Sequence, residues 1–523
     1  MNRKSVTIVL VNPNNDGNYI QSAFQREHLG LGYLAAELQE HDYVVHIIDS
    51  RIEGDTPEMA AKKILQRKAC VVGFSIIAKT AADWCEKVSK LVKKARPDIH
   101  ITIGNYFPSL QPKRAFFSMP SIDSIIMCEG DISFPNLVDK ISSGKNWHKV
   151  TGIAYKTTKS VHINPPECLV SDLDKLSFPV HTAQRYGIKE FAIEGSRGCF
   201  RRCCFCSIGA FFDLQNGYSL WRARSPKNIA MEIKENLKSF PNITKFRFVD
   251  ADFVGGTGEK YIKRLKDIVK EFCKINEKFE FIIDTRTRVI NDIPRSLWAD
   301  LKRAGLNEVF LGIETASPSI KKLFEKDSSF EEDLKAVKIM EELGVRVRYG
   351  FMMITPWSNE DSIIKNAEGL HHLAFPRLDK YFQEMYVVPG TKSVELTKKV
   401  TNIWFDHHGN GEYYTYGLSS PIDQLRRIGR SLIDNNLAFM SKHQSIHERI
   451  RKKLESKRAK DVLKYRDMLN DFSYDFFKAV FICAKRLDPK VSDKKITYLI
   501  KQIINSYQPR LDNIEKNFNL FDK

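Results

Sequence analysis

Residues 190–209 read EFAIEGSRGCFRRCCFCSIG, and four of the chain's ten cysteines stand within eight positions of that stretch, at Cys199, Cys203, Cys204 and Cys206. The other six, Cys70, Cys85, Cys128, Cys168, Cys273 and Cys483, lie far apart. A disulfide framework spreads pairs along a small secreted chain, whereas this is one tight cluster within 523 residues. The loop reads as a metal or cluster site. EFAIEG reads as a strand, so the thiols follow a strand end.

Around that strand the chain divides into three segments, as its length also suggests at roughly 100–200 residues per domain. Upstream, VTIVLV (6–11), YVVHIID (43–49), CVVGFSII (70–77), IHITIG (99–104) and IDSIIM (122–127) are apolar runs rich in Val and Ile. LGYLAAELQEH and ADWCEKVSKLVKKA between them space apolar residues as amphipathic helices do. Five strands with helical crossovers predict a Rossmann-like, doubly wound parallel sheet over 1–150, with a ligand crevice beyond the carboxyl ends of its strands. The segments there are VNPNNDG, SIIAKT, GNYFPS and CEGD.

A connector (151–184) carries the Pro-bearing NPPE and LSFPVH. From 185 to 405, EFAIEG is followed by KFRFVD (245–250), FEFIID (279–284), EVFLGIE (308–314), VRVRYGFMMI (345–354) and KYFQEMYVV (380–388), with helical patterns between. Six strand–helix units predict a partial (β/α)6 barrel, open because eight would close it, with function at the carboxyl ends of the strands. From 406 to 523 the strand pattern stops. After the loop-like HHGNGEYYTYG, apolar residues at Ile446, Ile450, Leu454, Val462, Tyr465, Leu469, Phe472, Phe476 and Val480 predict an α-helical C-terminal domain.

The formal charge of +18 invites a nucleic-acid reading. Half of the excess lies after Ser441, much of it in RIRKKLESKRAK (449–460), which reads as a solvated helical face rather than a nucleic-acid surface. No apolar stretch approaches the ~20 residues that cross a bilayer. The short run after MNRKS is wrongly flanked for a signal peptide, so a reducing cytoplasm is the expected location.

Cys199, Cys203 and Cys206 are spaced C-x3-C-x2-C. Soft thiolates select zinc, copper(I) or iron–sulfur clusters. A structural zinc site closes four ligands, often as two C-x2-C pairs, and the chain has no second pair. Three thiolates on a four-iron cluster leave one iron open to another ligand, which implies chemistry rather than electron carriage.

The stretch resembles the C-x3-C-x-aromatic-C signature of radical S-adenosylmethionine enzymes, with Phe205 as the aromatic residue beside the cluster. The resemblance implies a [4Fe-4S] cluster on the three cysteines and S-adenosyl-L-methionine at the strand ends. On that basis Asp250 and Asp252 in FVDADFVGG would face the methionyl amine, and Thr285 and Arg286 in DTRTR the ribose and methionyl carboxylate. Glu314 and Ser317 in LGIETASPS would also face the nucleotide, and VVPGTKS resembles the end of the family's sixth strand. Cys204 is an extra thiol that reads as local packing. Arg201 and Arg202 read either as cations that lower the neighbouring thiol pKa values or as solvated loop residues.

The first segment resembles the cobalamin-binding domain that precedes the radical domain in one branch of this superfamily. The matching stretches are LGLGYLAAELQEHDYVVHIID, VVGFSI with Ser75, ITIGN with Gly104, and IIMCEGD with Glu129 and Gly130. By that match Gly104 would let backbone approach the corrin tail and Ser75 would hydrogen-bond its buried dimethylbenzimidazole. No D-x-H-x2-G occurs in this segment, so the resemblance implies no protein imidazole on cobalt. GNYFPS departs from the Gly-Gly of many relatives, placing Asn105, Tyr106 and Phe107 near the corrin.

The implied activity is methylation of an unactivated carbon of a small-molecule, natural-product or peptide substrate through a 5′-deoxyadenosyl radical and methylcobalamin. A second S-adenosylmethionine would remethylate the cobalamin, and an external one-electron reductant such as flavodoxin or ferredoxin would be needed. Rearrangement, ring contraction or cyclisation with the same cofactors is the alternative, and RNA methylthiolation a distant one. The C-terminal helices are expected to close over the barrel mouth, with His407, His408, Tyr413, Tyr414 and Tyr416 as lid or surface aromatics.

Overall fold

The computed structural model describes residues 3–14, 26–158, 160–214, 221–373, 375–401, 403–405, 414–454 and 459–522. The first sheet holds β1 (Thr7–Asn12), β2 (Val44–Asp49), β3 (Val71–Ser75), β4 (His100–Gly104), β5 (Ser124–Ile126), β6 (Ile153–Lys156) and β7 (Val161–Ile163) in the order 2-1-3-4-5-6-7. The first five are parallel, as their Val- and Ile-rich runs predict. Strand alternation sends Ile8 and Leu10 to one layer, against Leu31, Leu38 and Leu137, and Val9 and Val11 to the other, against Ala61, Ile64 and Trp84. β6 and β7, from the segment read as a connector, extend this sheet in antiparallel fashion. Neither was anticipated.

β8 (Glu190–Ile193) opens the second sheet. A short antiparallel pair follows, β9 (Ser196–Arg197) with β10 (Arg222–Ala223). β11 (Lys245–Phe248), β12 (Glu280–Thr285), β13 (Leu306–Glu314) and β14 (Arg346–Phe351) complete a parallel sheet in the order 14-13-12-11-8. Phe246, Phe248, Phe281, Ile283, Val309 and Leu311 pack outward into the large core under the helices. The sixth expected strand is reduced. Leu378–Phe382 is a 3-10 helix, and among the described residues pairing survives as the parallel bridge between Ile354 and Glu384, with Met385 N donating to Ile354 O at 2.7 Å.

Helices Ile422–Asn435, Leu437–Leu454, Ala459–Arg486 and Asp493–Asp522 form the C-terminal unit, whose buried residues include Ile446, Ile450, Val462, Leu469, Phe472 and Phe476. Its core is continuous with the barrel's outer core. It lies along the outer helix Glu360–His372, where Asn470 Nδ2 donates to His371 O at 2.8 Å and Lys485 pairs with Glu360 at 2.6 Å. These contacts place it beside the barrel, where the sequence led us to expect a cover over its mouth. His407, His408 and Tyr413, and the side chains of Tyr414 and Tyr416, lie outside the described residues. No helix among the described residues is long and apolar enough to cross a membrane.

Candidate active site at the facing strand ends

Gly198, at φ 87°, turns the chain out of β9 into the cysteine loop, which ends where helix Ser207–Asp213 begins. Cys199, Cys203 and Cys206 are half-buried, and Cys206 N donates to Cys203 O at 3.0 Å. Burial pushes all three thiols up, Cys199 to about 11. This runs against reading Arg201 and Arg202 as cations that lower the thiol pKa values. Their guanidinium groups are held by Glu325 O and by Asp213 (3.1 Å), and desolvation outweighs the small lowering that Arg201 exerts on Cys203. Bound metal would have to displace those thiol protons itself, as it does when folding and metal binding are coupled. Among the described residues no three His, Cys, Asp or Glu side chains converge on a point for one metal ion. A cluster that offers each thiolate its own iron asks for no such convergence. Cys204 points elsewhere: it is 1% exposed among Ile320, Phe324, Met385 and Val387. Phe205 packs edge-on against Phe324 at 4.7 Å.

Around this loop the strand ends form one polar network. The buried Asp250 accepts from Gly195 N (2.8 Å) and from the Ser196 hydroxyl, and burial raises its carboxyl to about 7. Asp252 accepts from Thr285 Oγ1 (3.1 Å) and Arg286 Nε (2.8 Å). Arg286 also donates to Asp327 (2.8 Å) and to Gly255 O (2.9 Å). Glu314 closes β13 at φ 72°, and its carboxylate occupies room left by two glycines. A Cβ on Gly312 or Gly350 would stand 2.9 or 2.8 Å from its oxygens. Burial raises the Glu314 carboxyl against the pull of Lys326 and Lys380.

Ser317 is fully buried, its amide donating to Asn366 Oδ1 at 3.2 Å and its hydroxyl paired with Ser319. Asn366 also accepts from Thr315 Oγ1 and Ala316 N, both at 2.8 Å, and so fixes the whole turn after β13. Asn366 and Asp327 escaped the sequence reading, because a helical Asn and a loop Asp dozens of residues away leave no local signal. The Pro389–Gly390–Thr391 turn has Gly390 at φ 86°, where a Cβ would meet Leu110 of the first domain at 2.9 Å.

The strand ends of the first sheet face this network. Arg197 pairs with Asp131 (2.7 Å), Arg222 with Glu129, and Tyr106 stacks edge-on with Phe211 at 4.8 Å. Cys128 lies against Phe211 O at 3.5 Å. Glu129 is thus engaged by arginines of the second domain. A Cβ on Gly104 would meet Ile126 at 3.5 Å, an ordinary contact, and one on Gly130 would meet it at 3.3 Å. Ser75 Oγ is 2.8 Å from His28 Nε2 and 2.9 Å from Asn105 Nδ2. Asn105 adopts φ 89°, ψ −165°, a glycine-favouring conformation that costs about 1–3 kcal/mol. Its own side chain offsets part of this by accepting from Tyr106 N at 2.7 Å. At the seam, Glu27 accepts from Thr182 N (2.7 Å), Ala183 N and Ala192 N (both 3.0 Å) and binds His181 Nδ1 (2.8 Å). His181 also faces Glu232 at 3.4 Å, and the two carboxylates raise its imidazole to about 9 against the cost of burial.

Comparison with known proteins agrees with this geometry. Residues 193–368 match the Radical SAM superfamily and residues 19–138 the B12 binding domain. The uncharacterized methyltransferase PH0819 of Pyrococcus horikoshii is 27% identical over 342 residues, covering 64% of this chain and 71% of that protein. The 4′-phospho-dehydrooxetanocin synthase of Priestia megaterium is 24% identical over 374 residues, 66% of this chain and 47% of that one, so the chain spans about half of that relative's length. The solved structure of the cobalamin-dependent S-adenosylmethionine radical enzyme OxsB, with aqua-cobalamin and S-adenosylmethionine bound, superposes with a TM-score of 0.77 at 20% identity over 99% of this chain and 82% of that one, a likeness of fold. With the cysteine loop at one set of strand ends and the doubly wound sheet facing it, the chain belongs to the radical S-adenosylmethionine enzymes, in the branch that carries a cobalamin-binding domain ahead of the radical domain, and its cofactors are a [4Fe-4S] cluster, S-adenosylmethionine and cobalamin.

Proposed function

We propose that the protein methylates an unactivated carbon of a small molecule or peptide held between the two sheets. The observation that carries this reading is the apposition of the cysteine loop with the strand ends of the first sheet, fixed by Arg197–Asp131, Arg222–Glu129 and Tyr106–Phe211. A hydrogen-abstracting radical and a methyl donor can act on one carbon only from facing positions. When bound, the cluster and S-adenosylmethionine supply a 5′-deoxyadenosyl radical, and methylcobalamin supplies the methyl group.

Cys199, Cys203 and Cys206 hold the cluster, with Phe205 packed beside it. Asp250 and Asp252 offer carboxylate oxygens to the methionyl amine. Arg286 has five N–H donors, of which three are engaged by Asp252, Asp327 and Gly255, leaving two for the methionyl carboxylate. Thr285, Glu314 and Ser317 complete that wall. Ser75, Gly104, Asn105, Tyr106, Gly130 and the backbone of Glu129 line the corrin side, the Glu129 carboxylate being held by Arg222. An acidic flavodoxin or ferredoxin is the expected electron source. The ten free thiols suit a reducing cytoplasm.

The relative described as a methyltransferase supports this reading, and a relative described as an anaerobic magnesium-protoporphyrin IX monomethyl ester cyclase, from Rubrivivax gelatinosus, favours a second, rearrangement or cyclisation without methyl transfer. The experiment is anaerobic turnover with reductant, S-adenosylmethionine, hydroxocobalamin and a panel of candidate substrates. 5′-Deoxyadenosine together with S-adenosylhomocysteine supports methylation. 5′-Deoxyadenosine alone, with a product isomeric or dehydrogenated relative to substrate, supports the second reading, and an iron- and corrin-loaded protein that cleaves no S-adenosylmethionine overturns both.

A further inference from the structure

Among the described residues the cysteine loop is covered on three sides. Phe205 packs on Phe324, Phe211 of the following helix packs on Tyr106 of the first domain, and the Asp252–Arg286 network closes the strand ends. On the remaining side stands Phe200, the residue after Cys199, 42% exposed although large and apolar. A single exposed apolar side chain needs no explanation, but this one belongs to a constructed surface. Its ring lies 6.2 Å from Trp221 and 6.1 Å from Tyr261, and those two meet edge-on at 5.4 Å. The backbone makes room for them: a Cβ on Gly255 or Gly256 would stand 2.5 Å from Trp221 or Tyr261, respectively. Trp221 Nε1 donates to Asp252 O at 2.7 Å, so the aromatic surface and the proposed S-adenosylmethionine wall share one peptide.

Charge surrounds this apolar centre. Helix Glu259–Phe272 carries Lys260, Lys263, Arg264 and Lys266 against Glu259 and Asp267 in its first nine residues. Lys260 lies over the Tyr261 ring at 4.8 Å and Arg264 over Trp221 at 5.3 Å. Lys263 is 79% exposed, paired with Asp267 at 3.1 Å. Arg201 and Arg202 follow Phe200 in the loop itself, with Asp213 the carboxylate beside Arg202. Cations thus outnumber carboxylates around Phe200, as they do over a chain of net charge +18. An aromatic centre supplies the affinity of an interface, and a rim of one sign selects a partner of the other and speeds encounter.

We propose that the face formed by Phe200, Trp221 and Tyr261, with Lys260 and Lys263 at its rim, is the docking site of an acidic protein electron carrier. Phe200 is joined by one peptide bond to a cluster ligand, so a carrier seated there has the shortest route to the cluster that the described residues leave open. One electron leaves the carrier, which is oxidised, and enters the cluster, which is reduced; no bond forms or breaks. The inference rests on the reading that a protein carrier supplies the electron.

The test uses the anaerobically reconstituted full chain and a bacterial flavodoxin. Binding is read by fluorescence anisotropy of labelled flavodoxin across ionic strength, and 5′-deoxyadenosine formation is driven either by reduced flavodoxin or by titanium(III) citrate. Lys260→Glu/Lys263→Glu should weaken flavodoxin binding about tenfold at low salt and flatten its salt dependence, because exposed charges act only within a Debye length. The same variant should keep the wild-type rate with titanium(III) citrate, which needs no docking surface. Phe200→Ser should weaken binding about tenfold at every salt concentration while keeping its iron. Unchanged flavodoxin affinity in both variants overturns the inference and leaves the acidic carrier to dock elsewhere. A Phe200→Ser protein altered only in its sedimentation would assign this face to a second copy of the chain, and overturns it as well. Wild-type protein that binds no flavodoxin at low salt overturns the carrier reading beneath, a separate result.

Discussion

The two parallel sheets are built alike and exposed differently. In the first, both faces are largely apolar, the neutral cluster of His100, Thr102 and Ser124 being the polar exception within the strands, and polar groups such as Ser75 and Asn105 stand at the strand tips. In the second, the outer face is apolar while the inner one carries Arg247, Asp284, Glu308 and Arg348 along the strands. Arg247 pairs with Glu190 (3.0 Å) and Glu308 (3.1 Å), and Glu308 also meets Arg346 and Arg348 at 2.5 Å each. A sheet covered on both sides can do chemistry only at its rim. A sheet that lines an open barrel must hold charge inside, and its stability then depends on ion pairs whose partners cannot be removed singly.

Removing the chemistry from the second sheet should have the largest effect: Cys199→Ala/Cys203→Ala/Cys206→Ala is expected to lose all bound iron and all S-adenosylmethionine cleavage while retaining corrinoid, read by iron and sulfide analysis beside the corrin spectrum. Corrin lost together with iron would mean that the two sheets are not separable in this way. Glu308→Ala leaves arginines uncompensated inside the barrel and should cost about 3–5 kcal/mol in denaturant unfolding. A loss under 1 kcal/mol would mean that the inner charges are solvated and that the contrast between the sheets is smaller than drawn.

The seam between the sheets is pH-dependent. His181 is raised from 6.5 to about 9. Its contribution is fully present below pH 6.5 and is lost as pH rises through about 9, a change of about 3 kcal/mol that His181→Asn should abolish in unfolding curves across that range. The smallest effect is expected from Cys204→Ala, about 1–2 kcal/mol of packing with full iron content, because that thiol faces Phe324 and Met385 rather than the cluster loop's interior. Iron loss in this variant would return Cys204 to the ligand set.

Most of the strand framework was legible, because Val- and Ile-rich runs separated by amphipathic helices have few other solutions. The C-terminal helices were legible for the same reason: Val462, Leu469, Phe472 and Phe476 recur at helical spacing and are buried as that spacing predicts. KYFQEMYVV misled because apolar content alone does not distinguish a strand from a 3-10 turn followed by a single bridge. The spacing of the three cysteines reads as a cluster site in the sequence alone. The state of their thiols was not readable, since it depends on burial and on where Arg201 and Arg202 find other partners. Likewise Glu27, Asn366 and Asp327 act on residues distant in sequence, and nothing in their immediate neighbours marks them.

Glu27 and His28 are adjacent, and their side chains reach into different halves of the molecule: the carboxylate grips the first strand of the radical domain, and the imidazole grips the ligand crevice of the other. A dipeptide so placed is a lever with one arm in each domain. By reciprocity, whatever free energy the filling of the crevice lends to the seam, a well-closed seam returns to the filling of the crevice. Loading of the cofactor and alignment of the two domains are then one equilibrium seen from its two ends.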